Sequence, residues 1–318
     1  MQEMQGMNYR QLHSYIVERL EEAGIEDAES EVWLILREIC GMDRMRYLME
    51  GSTATISVDQ VEKIAWLLTQ RQKRIPLQQI LGKASFMKYD FYVNEHVLCP
   101  RSDTEILVEE AFHRLMSLKD QNQGTVSRDI SSSDRGSIHH NGAEQVSLLD
   151  IGTGSGCIAI SLYCMLEENG VQADAWAFDL SDEALQAALK NNEMLTGGRV
   201  HMGKSDLFSA LDPADHTFDL IISNPPYIPT DVIQGLMPEV RDHEPLMALD
   251  GREDGLYYYR KISEQAREFL RPGGYLMYEI GYDQGQSVPA IMKELGYQDV
   301  QVIKDYAGLD RVVCGMLR

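Results

Sequence analysis

The chain contains 318 residues, 44% of them hydrophobic and 25% charged, and its formal net charge is −21. This composition is typical of a globular protein, and the length is sufficient for two domains. The negative charge disfavours binding to nucleic acid, because phosphates would be repelled, and no apolar run approaches the roughly 18 residues of a membrane helix. The first ten residues, MQEMQGMNYR, lack the basic start and apolar core of a secretory signal, so we expect a cytoplasmic protein.

The five cysteines are dispersed and form no Cys-x-x-Cys pair. An odd, scattered set indicates reduced thiols, not a disulfide framework or a zinc site. Cys99 precedes Pro100, but no histidine stands at a spacing that would indicate a nucleophilic pair. His139-His140 lies in a polar stretch without further ligands, so we predict no metal site.

Residues 1–82 have the apolar spacing of several amphipathic helices. Asp27 is a candidate cap for the second helix, and Gly41 is its candidate end. Ser57 and Gln60 have the spacing of a capping box for a third helix. We therefore predict a small N-terminal helical-bundle domain.

Residues 83–98 are rich in aromatic and β-branched side chains, which predicts a connecting β-hairpin. Ser102 or Asp103 can cap the helix that follows. Residues from about 119 to 145 are polar and rich in serine, glycine and aspartate, so we predict a flexible insertion there.

Strands and helices alternate after this insertion. The predicted strands are 147–151, 175–180, 218–223 and 274–281, and a closing pair of strands follows them. Alternation of this kind predicts an α/β fold with a doubly wound, mostly parallel sheet. In such sheets, ligands bind at the carboxyl ends of the strands, near the point where the strand order reverses.

The sequence DIGTGSG, residues 150–156, follows the first of these strands and is called the glycine loop below. Its glycines let the backbone approach a ligand closely. A NAD fingerprint would require a third glycine where Cys157 stands, and no P-loop lysine follows. The candidate cofactor-binding residues of the loop are Gly152, Thr153, Gly154, Ser155 and Gly156.

Three acidic or apolar positions extend this site. Asp179 ends the second strand, where a carboxylate can accept two ribose hydroxyl hydrogens. Further along, Asp206 can accept from an exocyclic amine, and Leu207 can pack on a purine. Each signal is weak alone, since strand-end aspartates often cap helices. Their order along the chain predicts a ligand with ribose and purine but no pyrophosphate, and S-adenosylmethionine is such a ligand.

The sequence FDLIISNPPYIP, residues 218–229, runs from a predicted strand into two prolines. Pro225 and Pro226 have fixed φ, and a residue before proline is kept out of the helical region. Prolines donate no hydrogen bond but retain their carbonyl acceptors. Taken by themselves, these residues would be explained equally well by a proline turn that ends the strand. Their position after the glycine loop and Asp179 favours an active site.

A planar amide or aryl-amine nitrogen is a poor nucleophile, because its lone pair is delocalised. The side-chain oxygen of Asn224 and the carbonyl of Pro225 can each accept one of its N–H groups, and Tyr227 can pack on the flat group. The nitrogen is then oriented toward the methyl group of the cofactor. We predict Asn224, Pro225, Pro226 and Tyr227 as catalytic residues, with Asn224 also next to the cofactor.

The chain resembles the PrmC/HemK family of protein-(glutamine-N5) methyltransferases, which modify peptide chain release factors. The resemblance rests on segments 75–109, 148–162, 178–193, 205–211, 218–229, 238–262 and 271–288. Within them, EPLMALDGREDGL is more specific than NPPY, which several classes of amino-methyltransferase share.

The resemblance implies a class I S-adenosylmethionine-dependent methyltransferase domain over 99–318, with a Rossmann-like sheet. It implies that the glycine loop and Asp179 hold the cofactor, that Leu207 lies near the adenine, and that 224–227 hold the glutamine of a Gly-Gly-Gln motif. The helical domain would help to dock the release factor. The chain departs from the family at Ser102, where a proline is usual, at Gln78-Gln79, where Gln-Tyr is usual, and in its longer insertion.

Two alternatives remain open from the residues. An adenine-N6 methyltransferase acting on DNA or RNA would also use a conjugated amine, but the net charge of −21 and the lack of a basic, aromatic segment disfavour it. A noncatalytic adaptor that uses only the helical domain would leave the Asn-Pro-Pro-Tyr motif without a role.

Overall fold

The computed structural model describes residues 2–126 and 145–318. The chain forms two compact units: the first comprises Met1–Gly82 and Met237–His243, and the second comprises Lys83–Leu236 and Glu244–Arg318. No helix in these described ranges is long and apolar enough to cross a bilayer.

The elements are numbered in chain order. The α-helices are α1 (Tyr9–Glu22), α2 (Ala28–Cys40), α3 (Arg44–Glu50), α4 (Val58–Arg71), α5 (Leu77–Leu81), α6 (Ser102–Val126), α7 (Cys157–Glu168), α8 (Asp182–Thr196), α9 (Pro238–His243), α10 (Leu246–Leu249), α11 (Tyr257–Phe269) and α12 (Ser287–Glu294). The strands are β1 (Lys83–Phe86), β2 (Tyr89–Tyr92), β3 (Val146–Ile151), β4 (Ala173–Asp179), β5 (His201–Lys204), β6 (Phe218–Ser223), β7 (Leu270–Glu279), β8 (Gln298–Lys304) and β9 (Asp310–Met316).

The first unit is a helical bundle of α1 to α5 together with α9. The predicted capping box of α4 is confirmed, because Ser57 Oγ accepts the backbone N–H of Gln60 and the Gln60 side chain accepts that of Ser57. Gly41 ends α2 in the left-handed conformation, as predicted, but Asp27 makes no side-chain cap hydrogen bond. The core contains the buried side chains of Leu12, Ile16, Leu20, Val32, Ile35, Leu36 and Ile64.

Two short helices of the first unit, α3 and α5, were not predicted. Asp43 caps α3 by accepting the backbone N–H of Arg46 at 2.8 Å. Its apolar residues Met45, Leu48 and Met49 have helical spacing, but the helix is short and none of its residues is buried. Helices of seven and five residues make about two turns or fewer, too few for a periodic pattern to stand out.

The second unit contains a seven-stranded sheet of order β5-β4-β3-β6-β7-β9-β8. The first five strands in this order pair in parallel, and β9 is antiparallel to both β7 and β8. The prediction of a mostly parallel, doubly wound sheet with a closing strand pair is confirmed. The strand order reverses between β3 and β6, so their carboxyl ends border the crevice in which such sheets bind ligands.

Both faces of this sheet are buried, and neighbouring residues of one strand enter different cores. In β3, Leu148 packs in a cluster with residues of α6 and α7. The next residue, Leu149, packs in a cluster with residues of α11 and α12. Strand side chains alternate between faces, and helices on both faces explain why β3 is buried along its whole length.

Two local predictions differ from the structure. The hairpin strands occupy 83–86 and 89–92, whereas the predicted hairpin extended to residue 98. Its last residues form a turn, in which Asn94 Oδ1 accepts the N–H of His96 at 3.0 Å. The predicted insertion began at about 119, but α6 continues to Val126, since no proline interrupts it and a growing helix adds one hydrogen bond per residue. Residues 127–144 lie outside the described residues.

Arg71, at the end of α4, is a buried cation in the first unit, with 2% of its side chain exposed. Its Nε and Nη2 donate to the two carboxylate oxygens of Glu31 at 2.9 and 3.0 Å, and Nη2 also lies 3.3 Å from Glu239 Oε1. Arg74 donates to the other Glu239 oxygen at 2.7 Å. Burial acts to raise the pKa of Glu239. The hydrogen bond and charge of Arg74, a backbone N–H and the hydrogen bond from Arg71 together outweigh burial, so this pKa is lowered.

Asp150, in β3, is a fully buried carboxyl in the second unit. Its Oδ2 accepts from Thr153 Oγ1 at 2.6 Å, and the backbone N–H of Ala159 also acts to lower its pKa. Burial raises the pKa of Asp150 to about 7; the nearby charge of Asp179 adds to the rise and the Thr153 bond opposes it. Below about pH 7 the folded protein therefore favours the neutral form of this carboxyl.

Arg71→Met should lower the free energy of unfolding by about 3 kcal/mol or more, because it leaves two mostly buried carboxylates without their shared cation. Urea unfolding followed by tryptophan fluorescence measures this change. The matched control Arg19→Met removes an exposed ion pair with Glu22 and should leave the unfolding midpoint almost unchanged. An Arg71→Met midpoint equal to that of the wild type would contradict this account.

Asp150→Asn should become increasingly stable relative to the wild type as the pH rises. The folded carboxyl keeps its proton up to about pH 7, whereas the unfolded carboxyl loses it at lower pH. The stability that the protonated carboxyl contributes is complete below the unfolded pKa and is lost as the pH rises through the folded pKa. The difference in unfolding free energy should change by roughly 2–3 kcal/mol between pH 5 and pH 8. Urea unfolding without cofactor at both pH values tests it, and a difference independent of pH would be evidence against a buried neutral Asp150.

Candidate active site

A cavity of about 330 Å³ opens at the carboxyl ends of β3, β4 and β6 in the second unit. Ten of the predicted site residues line it: Gly152, Thr153, Gly154, Ser155, Asp179, Asp206, Leu207, Asn224, Pro225 and Pro226. Gly156 and Tyr227 were also predicted, but they are not on its lining. The fold thus brings four separate segments of the sequence to one cavity.

The glycine loop turns the chain from β3 into α7. Gly152 and Gly154 have φ of 73° and 56°, in the left-handed region that favours glycine. The N–H groups of Gly152 and Thr153 donate to the Phe178 carbonyl at 2.9 and 3.0 Å, which ties the loop to β4. A Cβ at Gly152 or Gly154 would meet no atom within 4 Å. These two positions therefore leave room for a ligand beside the backbone.

Gly156 has a different role from the other loop glycines. Its φ is also positive, at 82°. A Cβ there would lie 2.9 Å from Ile160 Cδ1, 3.3 Å from Met202 Cε and 3.4 Å from Ala188 Cβ. The glycine permits close packing at the start of α7, so its effect on a ligand would be indirect.

Asp179 ends β4 beside the glycine loop. Its Oδ2 accepts the N–H of Gly154 at 2.8 Å, and its Oδ1 accepts the N–H of Ser181 at 2.9 Å. Burial raises the pKa of Asp179, and these N–H groups act in the opposite direction. Each carboxylate oxygen retains acceptor capacity. The side chain is held rigidly and can still accept hydroxyl hydrogens from a ligand.

The loop after β5 holds Leu207 in an unusual backbone conformation. Its φ is 52°, which is uncommon for a residue other than glycine. Ser205 Oγ donates to the Leu207 carbonyl at 2.7 Å, and Ser209 Oγ accepts the N–H of Asp206 at 3.1 Å. These bonds hold the strained residue in place on the cavity lining.

Asn224 directly follows β6. Ser223 Oγ, one residue earlier, donates to the Ile151 carbonyl at 2.6 Å. This bond joins the end of β6 to the end of β3, where the glycine loop begins. Asn224 Nδ2 in turn donates to Thr104 Oγ1 at 3.4 Å. The glycine loop and the Asn-Pro-Pro segment therefore start from two strand ends that are linked directly.

The backbone of Tyr227 is enclosed by the GREDG segment. A Cβ at Gly255 would lie 2.3 Å from the Tyr227 carbonyl oxygen, and one at Gly251 would lie 2.7 Å from its carbonyl carbon. Gln284 Nε2 donates to the same oxygen at 3.2 Å. Burial raises the pKa of the Tyr227 hydroxyl to about 12, so this phenol stays protonated at neutral pH. The close contact of residues 251 and 255 with the Tyr227 backbone requires glycine at both positions.

Three further segments that line the cavity were not predicted. Their lining residues include Arg101 and Thr104 at the start of α6, Pro245 and Met247 in the region of α10, and Tyr258 and Ile262 of α11. Arg101 Nη2 pairs with Glu244 Oε2 at 2.8 Å, and only 5% of the Glu244 side chain is exposed. All three segments lie in the runs that carry the family resemblance, but only the fold brings them to one cavity.

The buried thiols near the cavity are not suited to act as nucleophiles. Burial raises the pKa values of Cys99 and Cys157 to about 12, so both stay protonated at neutral pH. Across residues 2–126 and 145–318, no group of three or more His, Cys, Asp or Glu side chains is arranged to hold a metal ion. His139-His140 lies outside the described residues.

Two protein-family descriptions match the chain. The PrmC N-terminal domain matches residues 11–82, and a methyltransferase domain matches residues 143–305. The first match falls on the helical bundle, and the second includes the glycine loop and the Asn-Pro-Pro segment.

Curated relatives match nearly the whole chain. The release factor glutamine methyltransferase of Geobacter sulfurreducens is 38% identical over 94% of this chain and 93% of that protein. The one from Moorella thermoacetica is 36% identical over 96% of this chain and 97% of that protein. The solved release-factor-specific protein-(glutamine-N5) methyltransferase from Alicyclobacillus acidocaldarius is 25% identical, covering 69% of this chain and 94% of that one, with a TM-score of 0.35. The identity to the two curated relatives over nearly their whole length shows that the chain belongs to the release factor glutamine methyltransferase family.

Proposed function

We propose that this chain transfers a methyl group from S-adenosylmethionine to the side-chain amide nitrogen of the glutamine in the Gly-Gly-Gln motif of peptide chain release factors. The observation that supports this most directly is one shared cavity. Asn224 and Pro225 line the same space as Gly152 and Asp179. Residues suited to a nucleoside and residues suited to an amide thus face each other at one edge of the sheet.

The glycine loop and Asp179 are suited to hold S-adenosylmethionine. Open space beside Gly152 and Gly154 lets the backbone approach the ligand, and Asp179 can accept the ribose hydroxyl hydrogens. Leu207 offers an apolar surface to the adenine, with Asp206 beside it to accept from the amine. When bound, the cofactor supplies an activated methyl group on a sulfonium.

The Asn-Pro-Pro segment is suited to hold the substrate amide. An amide nitrogen is planar and weakly nucleophilic, because its lone pair is shared with the carbonyl. The Asn224 side-chain oxygen and the Pro225 carbonyl can each accept one N–H, which fixes both hydrogens and turns the nitrogen toward the methyl donor. Orientation of this kind is worth an effective molarity on the order of 10⁵ M or more.

Pro226 and Tyr227 support this arrangement in different ways. The fixed φ of Pro226 limits movement of the preceding carbonyl, and Tyr227 can pack on the flat amide group and exclude water. The methylated nitrogen carries a positive charge until it loses a proton, so it is acidic enough to release that proton to water. A strong general base is not required from this chain.

We assign the docking of the release factor to the first unit. Its short helix α3 exposes Met45, Leu48 and Met49 at 72%, 75% and 68%, and Trp66 on α4 is 57% exposed. Large apolar side chains concentrated on one short surface helix are suited to a protein partner. Because release factors act on ribosomes, we place the reaction in the cytoplasm.

Methylation of adenine N6 in DNA or RNA is the less favoured function. A flipped base would also present a conjugated amine to the Asn-Pro-Pro segment. The net charge of −21 opposes the approach of a phosphate backbone, and the named relatives are glutamine methyltransferases. We therefore expect no direct binding of nucleic acid.

Asn224→Ala should reduce kcat for methyl transfer by about 100-fold or more, because it removes one of two groups that orient the amide. Binding of S-adenosylhomocysteine, measured by calorimetry, should persist. The control Asn169→Ala, at an exposed position after α7, should retain wild-type turnover. Full activity of Asn224→Ala would refute the role proposed for this residue.

Mass spectrometry of a purified release factor after incubation with enzyme and S-adenosylmethionine tests the function itself. A single methyl group should appear on the glutamine of the Gly-Gly-Gln motif, because the cavity is suited to orient one amide nitrogen. A release factor in which this glutamine is replaced by alanine is the matched control. Methylation confined to DNA or RNA in parallel reactions would reject the proposed substrate.

A further inference from the structure

The side chain of Asn224 has two different ends, an oxygen that accepts hydrogen bonds and a nitrogen that donates them. Only the oxygen can accept an N–H from a glutamine amide. If the side-chain amide were rotated by 180°, its own N–H groups would face those of the substrate. The proposed reaction therefore requires that the orientation of the Asn224 amide be fixed before the substrate binds.

Thr104 and Glu279 form a hydrogen-bonded chain with Asn224. Asn224 Nδ2 lies 3.4 Å from Thr104 Oγ1, and Thr104 Oγ1 lies 2.5 Å from Glu279 Oε2. The three residues come from the loop after β6, the first turn of α6 and the end of β7. Thr104 is 3% exposed and Glu279 is 1% exposed, so solvent does not compete for these bonds.

The donors and acceptors of this chain determine its direction. In the structure, the hydroxyl of Thr104 donates to Glu279 Oε2, and Nδ2 of Asn224 faces Thr104 Oγ1. The oxygen of Thr104 then remains as an acceptor, and only the Nδ2 end of Asn224 can supply the hydrogen. The Asn224 oxygen is consequently directed away from Thr104 and is available to a substrate.

Charged neighbours of Glu279 contribute to this arrangement. Burial raises the pKa of Glu279, and the charge of Asp103 acts in the same direction. The hydrogen bond from Thr104 and the positive charges of Arg311 and Arg101 favour the ionised form. The backbone at Glu279 is held as well, because Tyr259 Oη donates to its carbonyl at 2.9 Å.

We propose that Thr104 and Glu279 are positioning residues that orient the Asn224 amide for methyl transfer. This inference rests on the proposed function and adds two residues that act through Asn224. Ser102 and Asp103, not Thr104, were the candidate caps of α6. The hydrogen-bonded chain therefore gives Thr104 a role other than helix capping.

The first test compares Thr104→Val, which removes the hydroxyl and keeps the branched shape, with Thr104→Ser, which keeps the hydroxyl. For methyl transfer to a purified release factor, kcat of Thr104→Val should fall by about 10-fold or more, and Thr104→Ser should recover most of that loss. Affinity for S-adenosylhomocysteine should change by less than about two-fold. The control Thr217→Val, at an exposed position, should match the wild type.

A second test combines Thr104→Val with Glu279→Gln. Glutamine can donate to Thr104 as well as accept from it, so Glu279→Gln alone should also lower kcat. The effects of two substitutions within one hydrogen-bonded chain are not expected to add. Adding Glu279→Gln to Thr104→Val should therefore cause little further loss, whereas fully additive losses would overturn the proposed chain.

Two results of the first test would also overturn the inference: wild-type kcat in Thr104→Val, or equal losses in the Val and Ser variants. If Thr104→Val does not fold, Thr104→Ala removes the same hydroxyl without placing a methyl group against the Glu279 carboxylate, and the same comparison with Ser applies. Failure of the wild type to methylate the release factor would contradict the proposed function instead, so the two failures are distinguishable.

Discussion

The parallel pairing of β3 with β6 places two strand ends side by side at the centre of the sheet. Leu148 lies opposite Leu220 and Asp150 opposite Ile222, so the glycine loop and Asn224 emerge at the same edge. A slip of one residue would move each side chain of a strand to the other face, where a different core is packed. The arrangement of donor and acceptor groups in the cavity therefore depends on this register.

Buried carboxyl groups are concentrated near the same edge. Asp150, Asp179 and Glu279 all have pKa values that burial raises. Each has a nearby donor, from Thr153, from backbone N–H groups or from Thr104. Perturbed ionisable groups in a cleft are typical of functional sites. Here they occupy the positions that tie the glycine loop and Asn224 to their surroundings.

Much of the fold and of the cavity was predictable from local signals. The alternation of strands with helices predicted the parallel sheet, and the Ser57 capping box predicted the start of α4. The glycine loop, Asp179, Asp206, Leu207 and the Asn-Pro-Pro segment together predicted ten lining residues. Contacts between distant segments were not predictable. Thr104 and Glu279 are 175 residues apart, and nothing in the local sequence of either indicates the other. The short helix α3 was missed because seven residues are too few for the helical spacing of Met45, Leu48 and Met49 to stand out.

The first unit is discontinuous in sequence, because it includes residues 237–243 from between two parts of the second unit. The polypeptide therefore passes between the units three times, near residues 82, 236 and 243. A fragment ending at residue 82 would lack Glu239, the shared partner of Arg71 and Arg74. No single division of the coding sequence separates the two units. An exchange of the helical unit between related enzymes would therefore have to replace residues 1–82 and residues 237–243 together.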